Sequence, residues 1–462
     1  MTEEVKIRQH KYNQSVLAVR NKLVTLLGQD LDFHGEITNY ASHNFHSFPA
    51  KFPPQIPKKF IHELTNSGDT VLDPMVGSGT TILEAFLAGR RAIGFDIDPL
   101  ALILSKVKVT PASKDDLRII GETILSNAKL ALEREPEKTE KILNEYWDPK
   151  TKEFIDYWFA PQTQLELFVL IEEIKKLTDQ TAKDFFMIVF SSIIITKSGG
   201  VSFALDLGHT RPHKAKIING KTVTNNNVKD SSSNDSYVSS KNIGSALEDF
   251  RRRINKNLNG LLEEIIGTYP PQLYLGDAQD LSIPDNSIDL IVTSPPYASN
   301  AIDYMRAHKF SLVWLGHSIE TLSKKRKEYI GGEVVVEEKL IDLPRKTSGI
   351  IEQISNFDPR KGRILHSYYS DMFRTIQEMY RVLKNGKVAI VVVGTSLMRS
   401  INTETAECLA EIGGTVGFEV PKIGIRNLDR DRRMLPIGST PDLNSLIQQR
   451  MHEEYVIGFL KQ

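Results

Sequence analysis

The sequence predicts an α/β chain built on an open, mostly parallel sheet, with two insertions of which the first is mainly helical. Three observations lead there. Val71-Leu72-Asp73 and residues 91–96 are short apolar runs that each end at an acid, separated by a glycine turn and by helical spacing over residues 80–88. Strand-like runs return at 272–275, 288–293 and 388–393, well apart in the chain. The run at 288–293 ends in two prolines, which cannot continue a central strand, so the chain must leave the sheet there.

The elements follow in order. Residues 1–42 read as an N-terminal helix and a connector, and 43–112 as the first part of the sheet core. Ser113 caps a helix running to about residue 133, with Asp116 three positions on as its acidic partner. That helix opens a mainly helical insertion, 113–268, anchored by Trp147, Trp158 and Phe159. Its longest apolar stretch, 185–196, falls short of the roughly 18 residues a membrane span needs and reads as a buried helix. Within the insertion, the tract 222–242 is so poor in apolar residues that a mobile loop is expected. Residues 269–298 form the second part of the core, 299–365 a second, irregular and charged insertion, and 366–462 the third part. This last part contains a helix over 368–383, the strand 388–393, and closing strands at 420–425 and 455–460.

Composition limits the function classes. Lys+Arg and Asp+Glu both number 58, so net charge gives no support for nucleic-acid binding. A neutral total can still hide a basic face, and Arg251-Arg252-Arg253, Lys324-Lys325-Arg326-Lys327, Arg360-Lys361 with Arg363, and Arg430 with Arg432-Arg433 are local clusters. The single cysteine, Cys408, excludes an intramolecular disulfide and a cysteine zinc site. His43 and His46 stand three apart without further ligands, so no metal is expected. The polar N-terminus has no signal-peptide core, and a cytoplasmic protein is the simplest expectation.

The turn Asp73-Pro74-Met75-Val76-Gly77-Ser78-Gly79-Thr80-Thr81 joins the first strand to the first core helix. Two glycines let the backbone turn tightly and approach a ligand, and the helix N-terminus beyond them offers free N–H groups. Asp96, ending the second strand, can accept both hydroxyls of a ribose. There is no Gly-x-Gly-x-x-Gly and no Gly-Lys-Ser/Thr, which argues against a dinucleotide or a phosphate chain. A nucleoside without phosphates fits better, and S-adenosylmethionine is one. Asp277, after the strand 272–275, can accept a hydrogen bond from an adenine amino group. The competing reading is a tight turn that binds nothing, which the flanking acids argue against.

Ser294-Pro295-Pro296-Tyr297 leaves the sheet at its carboxyl edge, where ligands bind in open α/β sheets. An exocyclic amino group of cytosine or adenine is conjugated with its ring and is a poor nucleophile. Accepting its N–H hydrogen bonds frees the nitrogen lone pair, and the Ser294 hydroxyl and Pro295 carbonyl are the candidate acceptors. Pro295 and Pro296 fix the carbonyl geometry in advance. Tyr297 offers a face on which a base can stack.

These residues resemble the amino-methylating DNA methyltransferases, which act on cytosine N4 or adenine N6. Residues 73–81 look like that family's cofactor motif, Gly94-Phe-Asp-Ile-Asp-Pro-Leu-Ala101 its ribose-binding strand, and Thr293-Ser-Pro-Pro-Tyr297 its catalytic motif. The segment His46-Ser-Phe-Pro-Ala-Lys-Phe-Pro-Pro54 is similar to the stretch that closes over the methionine part of the cofactor, which implicates Phe48, Ala50 and Lys51. The resemblance implies a Rossmann-like class I methyltransferase sheet, with Asp73, Pro74, Gly77, Gly79, Thr80, Thr81, Asp96 and Asp277 holding S-adenosylmethionine. It covers residues 43–110, 272–316 and 366–462. Serine at position 294 is more typical of the N4-cytosine branch, with N6-adenine, RNA or tRNA base methylation, or an inactive DNA-binding subunit as alternatives. A protein-glutamine methyltransferase uses a related loop, usually with Asn in the first position.

A duplex hides the amino group, so the target base must be flipped out and phosphates held around the cleft. Arg306, His308 and Lys309 are the first candidates for DNA contact. Arg426, Arg430, Arg432 and Arg433 are the second, and residues 210–216 the third. Little chain follows the last strand, so the insertions must read the sequence of the double-stranded DNA. A companion restriction endonuclease is what the resemblance implies for a partner.

Overall fold

The computed structural model describes residues 3–49, 51–197, 199–204, 214–218, 221–225, 238–240, 243–263, 269–298, 304–332, 335–399, 401–428 and 453–462. Its centre is a seven-stranded sheet. Strand β1 (Thr70–Asp73) pairs in parallel with β2 (Arg91–Asp96), and across the long helical segment β2 pairs in parallel with β6 (Gln272–Leu275). On its other side β1 pairs in parallel with β7 (Ile288–Thr293), and β7 with β8 (Leu383–Gly394). The sheet closes with β12 (Glu453–Leu460), antiparallel to both β8 and β11 (Glu419–Asn427), giving the order β11-β12-β8-β7-β1-β2-β6. Every residue of β7 is buried, as a strand with helices on both faces must be.

Helices α1 (Glu3–Leu27), α2 (Gln55–Leu64) and α3 (Thr80–Leu87) cover one face, burying Leu23, Leu27, Ile56, Phe60 and Leu83 against Leu290, Val292 and Ile390. On the other face α14 (Pro359–Val382) and α15 (Thr405–Val416), flanked by α13 (Arg345–Phe357), bury Tyr368, Tyr369, Met372 and Ile412 against Ile291, Val391 and Ile457. Cys408 is buried in this core. From β2 the chain enters α4 (Pro99–Val109), started by Asp98, whose carboxylate accepts from Leu100 N at 2.8 Å. Beyond it, α5 (Lys114–Arg134), α6 (Pro136–Tyr146), α7 (Pro149–Trp158), α8 (Pro161–Lys175), α9 (Gln180–Ile194) and α10 (Ala246–Leu258) share a second, aromatic-rich core with α4. Ser113 caps α5 through Asp116 N at 3.2 Å, as its spacing predicts.

Four expectations change. In and beside the polar tract, strands β3 (Lys214–Ile218), β4 (Lys221–Asn225) and β5 (Val238–Ser240) form an antiparallel sheet, so part of the tract is not loop; the rest of it lies outside the described residues. The second insertion is largely helical, with α11 (Tyr304–Leu312) and α12 (Ile319–Lys325) packed on the helical core. The helix expected from residue 368 begins at Pro359, because Asp358 caps it by accepting from Lys361 N at 3.1 Å and Pro359 takes its first position. A small hairpin of β9 (Leu397–Met398) and β10 (Ile401–Asn402) also follows β8, where no strand was predicted. No described helix is long and apolar enough to cross a membrane.

Candidate active site

The strand order reverses at β1. The chain moves one way through β2 and β6 and the other way through β7 and β8, which opens a crevice at the carboxyl ends of β1 and β7. The glycine turn flanks this crevice from one side and the Ser294–Tyr297 loop from the other. Between them lies a cavity enclosing about 620 Å³ of empty space, part of it open solvent.

The turn is built for close approach. Gly77 and Gly79 both take left-handed backbone, φ 48° and 75°. A Cβ at Gly79 would meet Ser105 Oγ at 2.5 Å, so no other residue fits between α3 and α4. Gly77 N donates to Asp96 Oδ2 at 2.7 Å, and Asp98 N to Asp96 Oδ1 at 2.8 Å. Burial, with Asp98 nearby, raises the Asp96 carboxyl to about pKa 7. Each Asp96 oxygen has a second lone pair beyond the one these donors use, and the residue lines the cavity, so it can accept two vicinal hydroxyls.

The cavity collects Phe48, Pro74, Gly77, Asp96, Asp277, Ser294 and Pro296 from the sequence-predicted set. Asp277 also accepts from Gln279 N at 3.0 Å, which steers its carboxylate. Other predicted residues serve the frame. Asp73 is buried and accepts from Thr293 Oγ1 at 2.7 Å and Met75 N at 3.1 Å, tying the glycine turn to the start of the catalytic loop. Burial raises its carboxyl to about 6. Thr81 donates to Val292 O at 3.1 Å, and Thr80 shares a hydrogen bond with Ser78 at 3.0 Å. Both threonines are buried off the cavity, and Lys108 supports the turn from below by donating to Ser78 O. Lys51 donates to the carbonyls of His43 and His46, both at 3.2 Å. Pro295 is buried, and Ala50 lies outside the described residues.

Tyr297 is partly buried. Its ring packs at the edge of the α14 core and its hydroxyl donates to Glu454 Oε1 at 2.8 Å. Burial and Glu454 hold its phenol well above the ordinary tyrosine range. Arg426 pairs with the other oxygen of Glu454, with both side chains about nine-tenths buried. A DNA contact is therefore not open to Arg426 as it stands; it belongs to a chain running from β11 through β12 to the catalytic loop. Arg430, Arg432 and Arg433 lie outside the described residues, as do Arg211 and His213.

His308 is a second correction. The residue is fully buried, and its Nδ1–H donates to Asp98 behind the cavity, so it cannot reach DNA. Its ring lies 4.7 Å from that of Phe48. Burial works to raise the Asp98 carboxyl, but His308 and Leu100 N hold it below the ordinary range. Lys309 sits over the Phe154 ring at 5.2 Å, and Arg306 is half-buried and engaged.

Sequence reasoning missed the other side of the cavity. Tyr304 of α11 lines it, as do Glu328, Tyr329 and Ile330, which follow α12. The Lys324–Lys327 run drew attention as a surface cluster, and nothing local marks the three residues after it as cavity wall. Asp98 did carry a signal, the Asp96-Ile97-Asp98-Pro99 spacing. Among the described residues no group of His, Cys, Asp and Glu is arranged to hold a metal ion.

Known proteins of related sequence are DNA methyltransferases. A family profile described as DNA methylase, of the N6/N4 type, matches residues 8–107. The Type II methyltransferase M.MvaI of Kocuria varians is 26% identical over 459 residues, spanning 94% of this chain and 92% of its own. M.MjaII of Methanocaldococcus jannaschii, also a Type II methyltransferase, is 24% identical over 66% of this chain and 69% of its own. Among solved structures, a TehB-like SAM-dependent methyltransferase from Corynebacterium glutamicum aligns with 88% of this chain and 87% of its own, at 10% identity and a TM-score of 0.28. The sequence matches support an amino-methylating DNA methyltransferase, the family that the glycine turn and the Ser294–Tyr297 loop resemble.

Proposed function

We propose that this chain transfers the methyl group of S-adenosylmethionine to the exocyclic N4 of cytosine at a specific site in double-stranded DNA, as the modification half of a restriction–modification pair. The observation that carries this reading is the sharing of one cavity by Gly77, Asp96 and Asp277 with Ser294 and Pro296. The first three can hold a nucleoside and the last two can face its methyl group. When bound, S-adenosylmethionine supplies an electrophilic methyl on a sulfonium.

The chain's own residues do the rest. Asp96 accepts the ribose hydroxyls, Asp277 the adenine amino group, and Phe48 covers the methionine end. The Ser294 hydroxyl and the Pro295 carbonyl accept the N–H hydrogen bonds of the target amino group, leaving its lone pair directed at the methyl. Tyr297 closes the loop, and its hydroxyl on Glu454 sets the loop's depth in the crevice. Displacement at the methyl then needs alignment rather than a covalent enzyme intermediate. Ser294 favours cytosine, and the Type II methyltransferases among the relatives favour a DNA site with a companion nuclease.

The test is methyl transfer from tritiated S-adenosylmethionine to plasmid DNA, total tRNA or protein extract, with digestion of the labelled DNA to nucleosides for mass spectrometry. N4-methylcytosine is expected. N6-methyladenine would refute the cytosine assignment, and label confined to tRNA or protein would refute the DNA reading.

A further inference from the structure

The α13–α14 turn carries Phe357, which is 75% exposed, the highest exposure among the large hydrophobic side chains described. Its place in the fold follows from connectivity. Helix α14 runs straight into β8 and is antiparallel to it, so the start of α14 stands at the carboxyl edge of the sheet, the edge that holds the cavity.

Two contacts fix that place. Arg399, at the tip of the β9–β10 hairpin, reaches Asp358 Oδ2 at 2.8 Å through Nη2 and at 3.0 Å through Nε. At the base of the same hairpin, Ser396 Oγ donates to the carbonyl of Ala298, the residue after the Ser294–Tyr297 loop. Phe357 is thus linked to the catalytic loop through two short connections. Arg399 also holds φ 51°, an uncommon conformation for a residue with a side chain, and strain of this kind concentrates at functional segments.

The chemistry around Phe357 is one-sided. Leu397, on the same hairpin, is 41% exposed. Asp358 is taken by Arg399, and Glu337 by Arg363 at 3.2 Å. Among the described residues Arg360 and Lys361 have no ion-pair partner, and Arg360 is exposed. An exposed aromatic ring beside unpaired cations, at the rim of a site whose substrate must leave a base stack, matches a stacked polyanion. A protein partner's apolar face would leave Arg360 and Lys361 unmatched.

We propose that the Phe357 turn docks on the DNA duplex, with the ring inserting beside the target position as the base leaves the stack, and with Arg360 and Lys361 holding the flanking phosphates. This rests on the DNA reading above. An apolar wedge between base steps lowers the cost of unstacking, and the cations fix its register.

The experiment compares full-length wild type, Phe357→Ala and Arg360→Ala/Lys361→Ala. It measures affinity for plasmid-derived duplex fragments over a salt series, methyl transfer, S-adenosylmethionine affinity and sedimentation. Phe357→Ala is expected to lose about tenfold in DNA affinity and in kcat/KM, since base–aromatic stacking has that weight. The double variant should lower the salt slope by about one to two. Cofactor affinity should stay unchanged in both, which also reports that they fold. If wild type methylates DNA and Phe357→Ala matches it in DNA affinity and transfer, the docking proposal is wrong while the reading beneath it stands. Wild type that neither binds nor methylates DNA overturns both. Self-association of wild type that is lost in Phe357→Ala, with DNA binding intact, would assign the turn to a second copy of the chain and overturn the proposal.

Discussion

Replacing Glu454 by glutamine tests how the catalytic loop is held. Glu454 accepts from Tyr297 at 2.8 Å and pairs with Arg426, and the two charged side chains are only 10% and 11% exposed. Glutamine keeps an acceptor for the tyrosine but strips Arg426 of its counter-charge. Breaking a buried pair from one side costs about 3–5 kcal/mol, and the hydrogen bond to Tyr297 contributes about 1 kcal/mol more when alanine removes it as well. Glu454→Gln should therefore lose about 3 kcal/mol of stability and Glu454→Ala about 4 kcal/mol. Replacing both partners, as Glu454→Leu with Arg426→Met, should recover much of the ion-pair loss. Activity should divide differently. Glu454→Gln keeps the tyrosine anchored and loses only a few-fold in kcat, whereas Glu454→Ala releases it and loses about 10- to 100-fold, about 1.4–2.7 kcal/mol of transition-state positioning. Cofactor affinity should stay constant in both. Denaturant unfolding and single-turnover methyl transfer read the two effects separately. The reasoning fails if Glu454→Gln is as stable as wild type within about 0.5 kcal/mol. It fails equally if Arg426→Met lowers the salt slope of DNA binding by about one, since that would make Arg426 a phosphate contact instead.

Further outcomes follow from the same geometry. The Asp96 and Asp73 carboxyls are raised to about 7 and about 6, so the folded chain keeps protons that the unfolded chain has lost; their stabilising effect is full near pH 4 and fades as pH climbs through 6 and 7. Asp96 must be ionised to accept two hydroxyls, so S-adenosylmethionine affinity, read by calorimetry, should rise from pH 6 to 8, and a flat profile would refute the ribose role. Gly79→Ala should weaken cofactor binding at least about tenfold, because the new methyl meets Ser105 Oγ at 2.5 Å on left-handed backbone; unchanged binding would show that the turn can shift. His308→Asn, which leaves the buried Asp98 poorly paired, should reduce cofactor affinity without altering the salt slope of DNA binding, and a changed slope would return His308 to the DNA surface.

The parts of the site legible in the sequence are those whose chemistry is local. A turn needing two left-handed residues must write glycine at 77 and 79, and a strand leaving its sheet writes Pro295-Pro296. The misreadings have a common cause: the deciding partner is remote. Arg306, His308 and Lys309 are neighbours in sequence, but a helix turns them to different faces, and His308 meets an aspartate 210 positions earlier. Arg426 looked like the start of a basic cluster because Glu454 sits 28 positions later on the adjacent antiparallel strand. The early start of α14 was written locally, in Asp358-Pro359. Gly362 in the first turn obscured it, and that glycine sits where a Cβ would run into Ser355 of α13. The far wall at Glu328–Ile330 has no local signature, because it is defined by what lies opposite it.

The strand order also bears on how the chain is made. Strands β1 and β2 leave the ribosome early, yet β6 and β7, which flank them in the sheet, are encoded beyond the helical segment. At cellular synthesis rates, on the order of ten seconds or more passes in which two apolar strands present open edges, and open edges invite pairing with other chains. Helices α5 to α10 emerge in that interval and share a core with α4, so the nascent chain can bury α4 before the sheet exists. A product truncated before residue 272 would keep that helical unit but strand its two β-edges, which makes it an aggregation hazard rather than half of a working protein.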